Sequence, residues 1–136
     1  MTQGREVADR RVPRLGTVRA DLASRSPPHG LDVIRSVLYL TPRGGDGRAV
    51  ADFYRRHQVL DRALEQDGCL GAELQLPVDG AGDVLVTALW RDADAYQGWL
   101  DNPVRSAHAR ELGELVEGFD AGVRGAVYEV AVQVAP

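Results

Sequence analysis

From residue 33 onward the apolar residues recur with two different periods, and the switches between them divide the chain. Val33–Thr41 (VIRSVLYLT) is rich in β-branched and aromatic residues and stops at Pro42-Arg43-Gly44-Gly45, which predicts a first strand closed by a turn. Across Arg48–Gln66, Val50, Phe53, Tyr54, His57, Leu60 and Leu64 fall at helical spacing, with Gly68 placed as a C-terminal stop. Leu70–Leu76 returns to period two, setting Leu70, Ala72, Leu74 and Leu76 against Gly71, Glu73 and Gln75. Pro77 to Asp83 contains Asp79-Gly80 and reads as a hairpin connection. Asp83–Trp90 is a third strand with Val84, Val86, Ala88 and Trp90 on one side. Gly125–Val134 alternates again and is a fourth.

Between the last two strands lies WRDADAYQGWLDNPVRSAH (Trp90–His108), which holds both tryptophans. Asp92 is placed as an N-cap. Tyr96, Trp99 and Leu100 follow at i, i+3 and i+4 and share a face. Asn102-Pro103 breaks this second helix and restarts it, since proline suits the first position of a new turn. In the restarted piece, which ends near Gly118, Val104, Ala107, His108, Leu112 and Leu115 line one side. The outcome is a mostly apolar wall carrying two indoles, a phenol and an imidazole. It is either a core of large residues or one side of a pocket for a flat aromatic molecule.

The order βαβ-βαβ predicts an α+β, ferredoxin-like split βαβ domain: a four-stranded antiparallel sheet with two helices on one face, spanning residues 31–136. The other sheet face then has nothing in the same chain to cover it. Such a face on a soluble protein marks an interface, and a symmetric homodimer is expected. Residues 1–30 differ in kind, with six arginines against three acids, three prolines and few large apolar residues. They are expected to form a flexible arm or one that docks on a partner subunit through Val12, Leu15, Val18 and Leu22.

Composition narrows the chemistry. All sixteen basic residues are arginine, so no lysine amine exists for a Schiff base. The formal charge of −4 argues against nucleic acid as a partner. The single cysteine, Cys69, allows neither an internal disulfide nor a cysteine-based zinc site, and the histidines show no metal-ligand spacing. Gly44-Gly45 lacks the strand–GxGxxG–helix context of a dinucleotide site. No apolar run approaches the roughly 20 residues that cross a bilayer, and no signal-peptide core is evident, so a cytoplasmic protein is expected.

The element order, the strand ending LWRDADAY and the helical run YQGWLDNPVRSAH resemble the antibiotic biosynthesis monooxygenase (ABM) superfamily over about residues 33–134. That resemblance implies a dimeric α+β barrel. It also implies oxygenation of anthrones, quinols or related aromatic polyketides with molecular oxygen as co-substrate, by quinone formation or ring opening. No tightly bound cofactor is expected, although reduced flavin supplied from outside is compatible. Such chemistry needs aromatic surface, a base and water exclusion. Phe53, Tyr54, Trp90, Tyr96 and Trp99 are the substrate-binding candidates, His57 and His108 the candidate bases, and Arg105, with Arg55 and Arg56, the candidate oxyanion partners.

Each has a plainer reading as a hydrogen-bonded core histidine, packed aromatic or solvated cation. His29 lies in the arm and has no expected role. Trp99 and His108 also match the spacing of the superfamily's haem degraders, yet strand 1 offers valine near position 37 where those proteins use asparagine. Haem degradation is therefore the second reading. A non-catalytic ligand-binding module is the third.

Overall fold

The sheet forms from four short segments, of which the two central ones carry its buried side chains. In the computed structural model, which describes residues 33–136, these are β1 (Ile34–Leu40), β2 (Cys69–Gln75), β3 (Val84–Trp90) and β4 (Arg124–Glu129). They pair antiparallel in the order β2-β3-β1-β4. Four helices, α1 (Gly47–Arg56), α2 (Val59–Leu64), α3 (Ala93–Asp101) and α4 (Ala109–Leu115), complete the ferredoxin-like α+β fold expected. The proposed arm, with its anchors and His29, lies outside the described residues.

The register orders the inner face of the sheet by size. Ile34, Trp90 and Cys69 stand across the strands at one end, and Leu40 opposite Val84 at the other. Next to the tryptophan row, Ser36, Ala88 and Ala72 align across β1, β3 and β2. The buried core is correspondingly split. Trp90 packs with Ile34, Ala63, Ala95 and Trp99, while Leu40 and Val84 pack with Val50, Phe53, Tyr54 and Val116.

The long first helix expected over Arg48–Gln66 is instead two. Asp46 caps α1 by accepting from the Ala49 N–H at 3.1 Å. The helix ends at Arg56 because Gln58 adopts the left-handed conformation, φ 53° and ψ 41°. A helix over the whole predicted span would be about 28 Å long, against roughly 23 Å for a seven-residue strand. The break turns the chain back before it overshoots the sheet. It also rotates the second piece, so that Ala63 is buried and Leu64 is 55% exposed.

Other boundaries move for equally local reasons. A register shift between Cys69 and Gly71 turns Leu70 outward, to 53% exposure, and leaves the half-buried Cys69 against the core. β4 stops at Glu129, which pairs with Ile34, the first residue of β1. One more bond, from the Val130 N–H to the Val33 carbonyl at 2.9 Å, ends the ladder and leaves Val132 and Val134 exposed. In the second helical region Asp92 accepts from the Ala95 N–H at 2.9 Å. Asn102 accepts from the Val104 N–H at 3.0 Å and opens a 3-10 turn over Pro103–Ser106. His108 is the N-cap residue of α4, and Val104 is 41% exposed, so neither sits on a continuous apolar helix face. The region closes at Val116, which bridges to Pro42, with the Glu117 N–H donating to Thr41 at 2.8 Å.

The opposite face of the sheet is mixed rather than uniformly apolar. The Arg124 guanidinium lies 3.7 Å from the Tyr39 ring centroid, and Gln75 donates to both Thr87 and Glu73 at 2.9 Å. Since a left-handed conformation strains any residue with a Cβ, Gln58→Gly should raise stability by roughly 0.5–1 kcal/mol and Gln58→Val lower it by about 1–2 kcal/mol. Urea unfolding of the two variants checks the sign of each.

Candidate active site

The small-residue row has a direct consequence. Between the two halves of the core, the helices and the inner sheet face enclose a cavity of about 450 Å³, within the range of small-molecule sites. Ser36, Ala72 and Ala88 form part of its floor.

Trp90 closes one end of that floor. Its side chain is fully buried and its indole N–H donates to the Ser36 hydroxyl at 3.0 Å, which removes the cost of an unpartnered donor. Tyr96 from α3 lies over it, with ring centroids 5.5 Å apart. Trp99, one turn further along α3, is also buried and also lines the cavity.

The far wall is α1 and the turn before α4. Phe53 sits edge-on to Tyr54, at 5.6 Å, and to His57, at 4.8 Å. His57 and His108 stack nearly parallel, with ring centroids 3.8 Å apart and planes 20° apart. The His57 Nε2 lies 2.9 Å from Glu111 Oε1, and the other carboxylate oxygen of Glu111 accepts from Arg56. These contacts hold the Glu111 carboxyl below its usual range, the His57 hydrogen bond being the largest cause.

Arg105, half-buried on the 3-10 turn, reaches the same space. Burial pushes the Tyr54 phenol up to about 12, and the Arg105 charge opposes that rise. Burial raises the Tyr96 phenol too, against the pull of Arg105. Arg62 adds a second cation, and no carboxylate lines the cavity among the described residues. An apolar slot with imidazoles and guanidiniums but no lining acid favours a flat ligand that carries or develops negative charge.

Eight of the ten candidates from the sequence, namely Phe53, Tyr54, His57, Trp90, Tyr96, Trp99, Arg105 and His108, line this one cavity. Arg55 and Arg56 do not. Arg55 pairs with Asp52 at the surface, at 2.7 Å, and Arg56 serves Glu111. Three participants were missed, Ser36, Arg62 and Glu111, and Arg62 reads in the sequence as one more helix-surface cation. Ser36 carried a faint signal, as the one hydroxyl on the inward alternation of β1. Glu111 carried none, being 54 residues from the histidine it contacts.

A ferredoxin-like sheet whose helices enclose an aromatic and imidazole-lined slot defines an α+β domain built around a small-molecule cavity. Residues 34–123 match the antibiotic biosynthesis monooxygenase family, and the chain belongs to it. No curated protein matches the sequence. Among solved structures, Rv0793 from Mycobacterium tuberculosis is 17% identical with a TM-score of 0.61, covering 76% of this chain and 99% of that one. SnoaB, a cofactor-independent oxygenase from Streptomyces nogalater, is 24% identical with a TM-score of 0.57, over 77% and 98%. The haem degrader MhuD (Rv3592) from Mycobacterium tuberculosis, solved with two haems in its active site, is 23% identical with a TM-score of 0.56, over 76% and 99%. These likenesses establish the fold. Among the described residues no helix is long and apolar enough to cross a membrane.

The Tyr54 environment has a measurable consequence. An unfolded tyrosine ionises near pH 10, whereas Tyr54 in the folded protein stays protonated to about 12. The folded state therefore binds more protons between those values, and stability falls as pH rises through them. Tyr54 should account for a loss on the order of 2–3 kcal/mol across that window. Tyr54→Phe removes it, so the stability difference between variant and parent should move in the variant's favour from pH 9 to about 11.5. Urea unfolding at both pH values measures it.

Proposed function

We propose that the protein is a homodimeric oxygenase that tailors an aromatic polyketide, inserting oxygen from O2 into a quinol- or anthrone-type ring without a tightly bound cofactor. The observation that carries this reading is the slot itself: aromatic walls, a pair of imidazoles and Arg105 around about 450 Å³ of open volume. A solidly packed interior would have favoured the non-catalytic module.

The chemistry asks little of the protein beyond what lines that volume. A substrate hydroxyl, or the enolised carbonyl of an anthrone, gives its proton to an imidazole while the bond pair stays on oxygen. The resulting anion passes one electron to O2, and the substrate radical and superoxide recombine by forming a C–O bond. The peroxide takes the proton back and loses water, breaking its O–O and C–H bonds to leave a quinone carbonyl. Alternatively it adds to a neighbouring carbonyl as a dioxetane, whose O–O and C–C bonds break together to give two carbonyls and an open ring. Trp90, Tyr96 and Trp99 would hold the rings in place, with Phe53 and Tyr54 opposite. Arg105 would stabilise the oxyanion and the peroxide as charge develops. Reduced flavin from outside would act by converting a quinone into the reactive hydroquinone.

Haem ligation is less well supported. β1 places Val37, which cannot donate a hydrogen bond, at the cavity where the resemblance to haem degraders calls for an asparagine. Dimerisation is supported by the far sheet face, where the large Tyr128 side chain is left 54% exposed.

The purified, metal-free protein should accelerate oxygen uptake by an anthrone or a reduced angucyclinone in air. Arg105→Met should lower kcat/KM by roughly a hundredfold. Ala88→Phe, which fills the floor, should abolish turnover while leaving the circular dichroism spectrum unchanged. A rate no higher than autoxidation for every ring system tried would overturn the proposal, and light scattering that reports a monomer would overturn its dimeric part.

A further inference from the structure

Glu111 does not line the cavity, yet it contacts a side chain that does. It projects from α4 to within 2.9 Å of the His57 Nε2, and its second oxygen is held by Arg56 from α1. His57 itself is pinned at the C-cap of α1, where its backbone N–H donates to the Phe53 carbonyl at 3.0 Å. The ring is 18% exposed, covered on one side by His108 at 3.8 Å and met by the Phe53 ring at 4.8 Å. A neutral imidazole has one N–H and one lone pair, and the hydrogen bond made by one nitrogen decides which is which. A carboxylate only accepts, so the proton of neutral His57 must sit on Nε2 and the lone pair on Nδ1.

We infer that Glu111 is the positioning residue that makes His57, rather than its stacked neighbour His108, the base of this site. The inference rests on the oxygenase reading and deepens it. With Nε2–H tied to Glu111, Nδ1 is the nitrogen left to take the substrate proton. That transfer forms an Nδ1–H bond and leaves the electron pair on the substrate oxygen. The imidazolium that results is compensated by the carboxylate it already touches, as in other carboxylate–imidazole pairs.

Two imidazolium rings stacked at 3.8 Å would repel each other, and of the two rings only His57 touches a carboxylate that compensates the proton taken from the substrate. Among the described residues, the other charged groups that line the cavity or touch Glu111 are cationic: Arg56 from α1, Arg62 from α2 and Arg105 from the turn before α4. The Tyr54 and Tyr96 phenols, both raised by burial, are uncharged near neutral pH. Of these groups Glu111 alone favours a positive ring.

The tautomer can be read without a substrate, by long-range 1H–15N correlation spectra of the 15N-labelled full chain. His57→Asn and His108→Asn assign the signals. The neutral His57 ring should show the Nε2–H pattern in the parent. Glu111→Gln, whose amide oxygen still accepts, should keep that pattern, and Glu111→Ala should mix or invert it. With an anthrone substrate, Glu111→Gln should move the acid limb of the pH–rate profile to lower pH, because the cationic ring has lost its counter-charge. Its kcat should fall roughly ten- to hundredfold with KM little changed.

An Nδ1–H pattern in the parent, or ring-nitrogen shifts unmoved in Glu111→Ala, would overturn the inference even if turnover were high. An acid limb that does not move in Glu111→Gln would overturn it as well. Failure to find any oxidisable substrate would instead strike at the oxygenase reading and leave the tautomer result standing.

Discussion

The hydrogen bond from the Trp90 indole to Ser36, 3.0 Å long and buried, is the contact on which the rest of the interior depends. A fully buried indole requires an acceptor, and the adjacent cross-strand row supplies it as a hydroxyl among small residues. Tyr96 lies over the same indole, with ring centroids 5.5 Å apart, and ties α3 to the sheet. Large side chains at the two ends of the sheet keep the helices away from it, and Ser36, Ala88 and Ala72 in between do not fill the gap. The cavity is what remains when a protein core packs tightly at both ends and is short of volume in the middle.

The helices respond to the same constraint. The break at Gln58 gives α1 an end at the cavity wall, and that end carries His57. The Asn102-Pro103 restart has the matching effect on the other side, with Arg105 on the turn and His108 at the head of α4. Side chains at helix ends and on short turns can point into a slot that a continuous helix would have closed. The two departures from regular helix are therefore the two places where the polar groups of the cavity come from.

Electrostatics inside the slot run opposite to those of the whole chain. The molecule carries a net charge of −4, but its cavity is lined by two arginines and two histidines and no acid among the described residues. Glu111 stands just behind this lining and compensates His57 without placing a carboxylate against the ligand. Negative charge that develops on a bound ring thus meets cations, and the imidazole that takes up a proton meets an anion.

Much of this was legible in one dimension. Alternation and helical spacing depend on neighbours a few residues apart, so the strands, the capping Asp92 and the ferredoxin-like order follow from local chemistry. The aromatic and histidine candidates were legible for a related reason: large or titratable side chains on inward-facing positions are few in a chain this short. What only the tertiary structure decided is which of those inward faces meet and which leave space. The Ser36–Ala88–Ala72 row exists through strand register, the outward turn of Leu70 through a bulge, and the Glu111–His57 contact through the approach of two helices. Pairing across 54 residues leaves no periodic trace in the chain, because the attraction between a carboxylate and an imidazole depends on their distance in space and not on their separation in sequence.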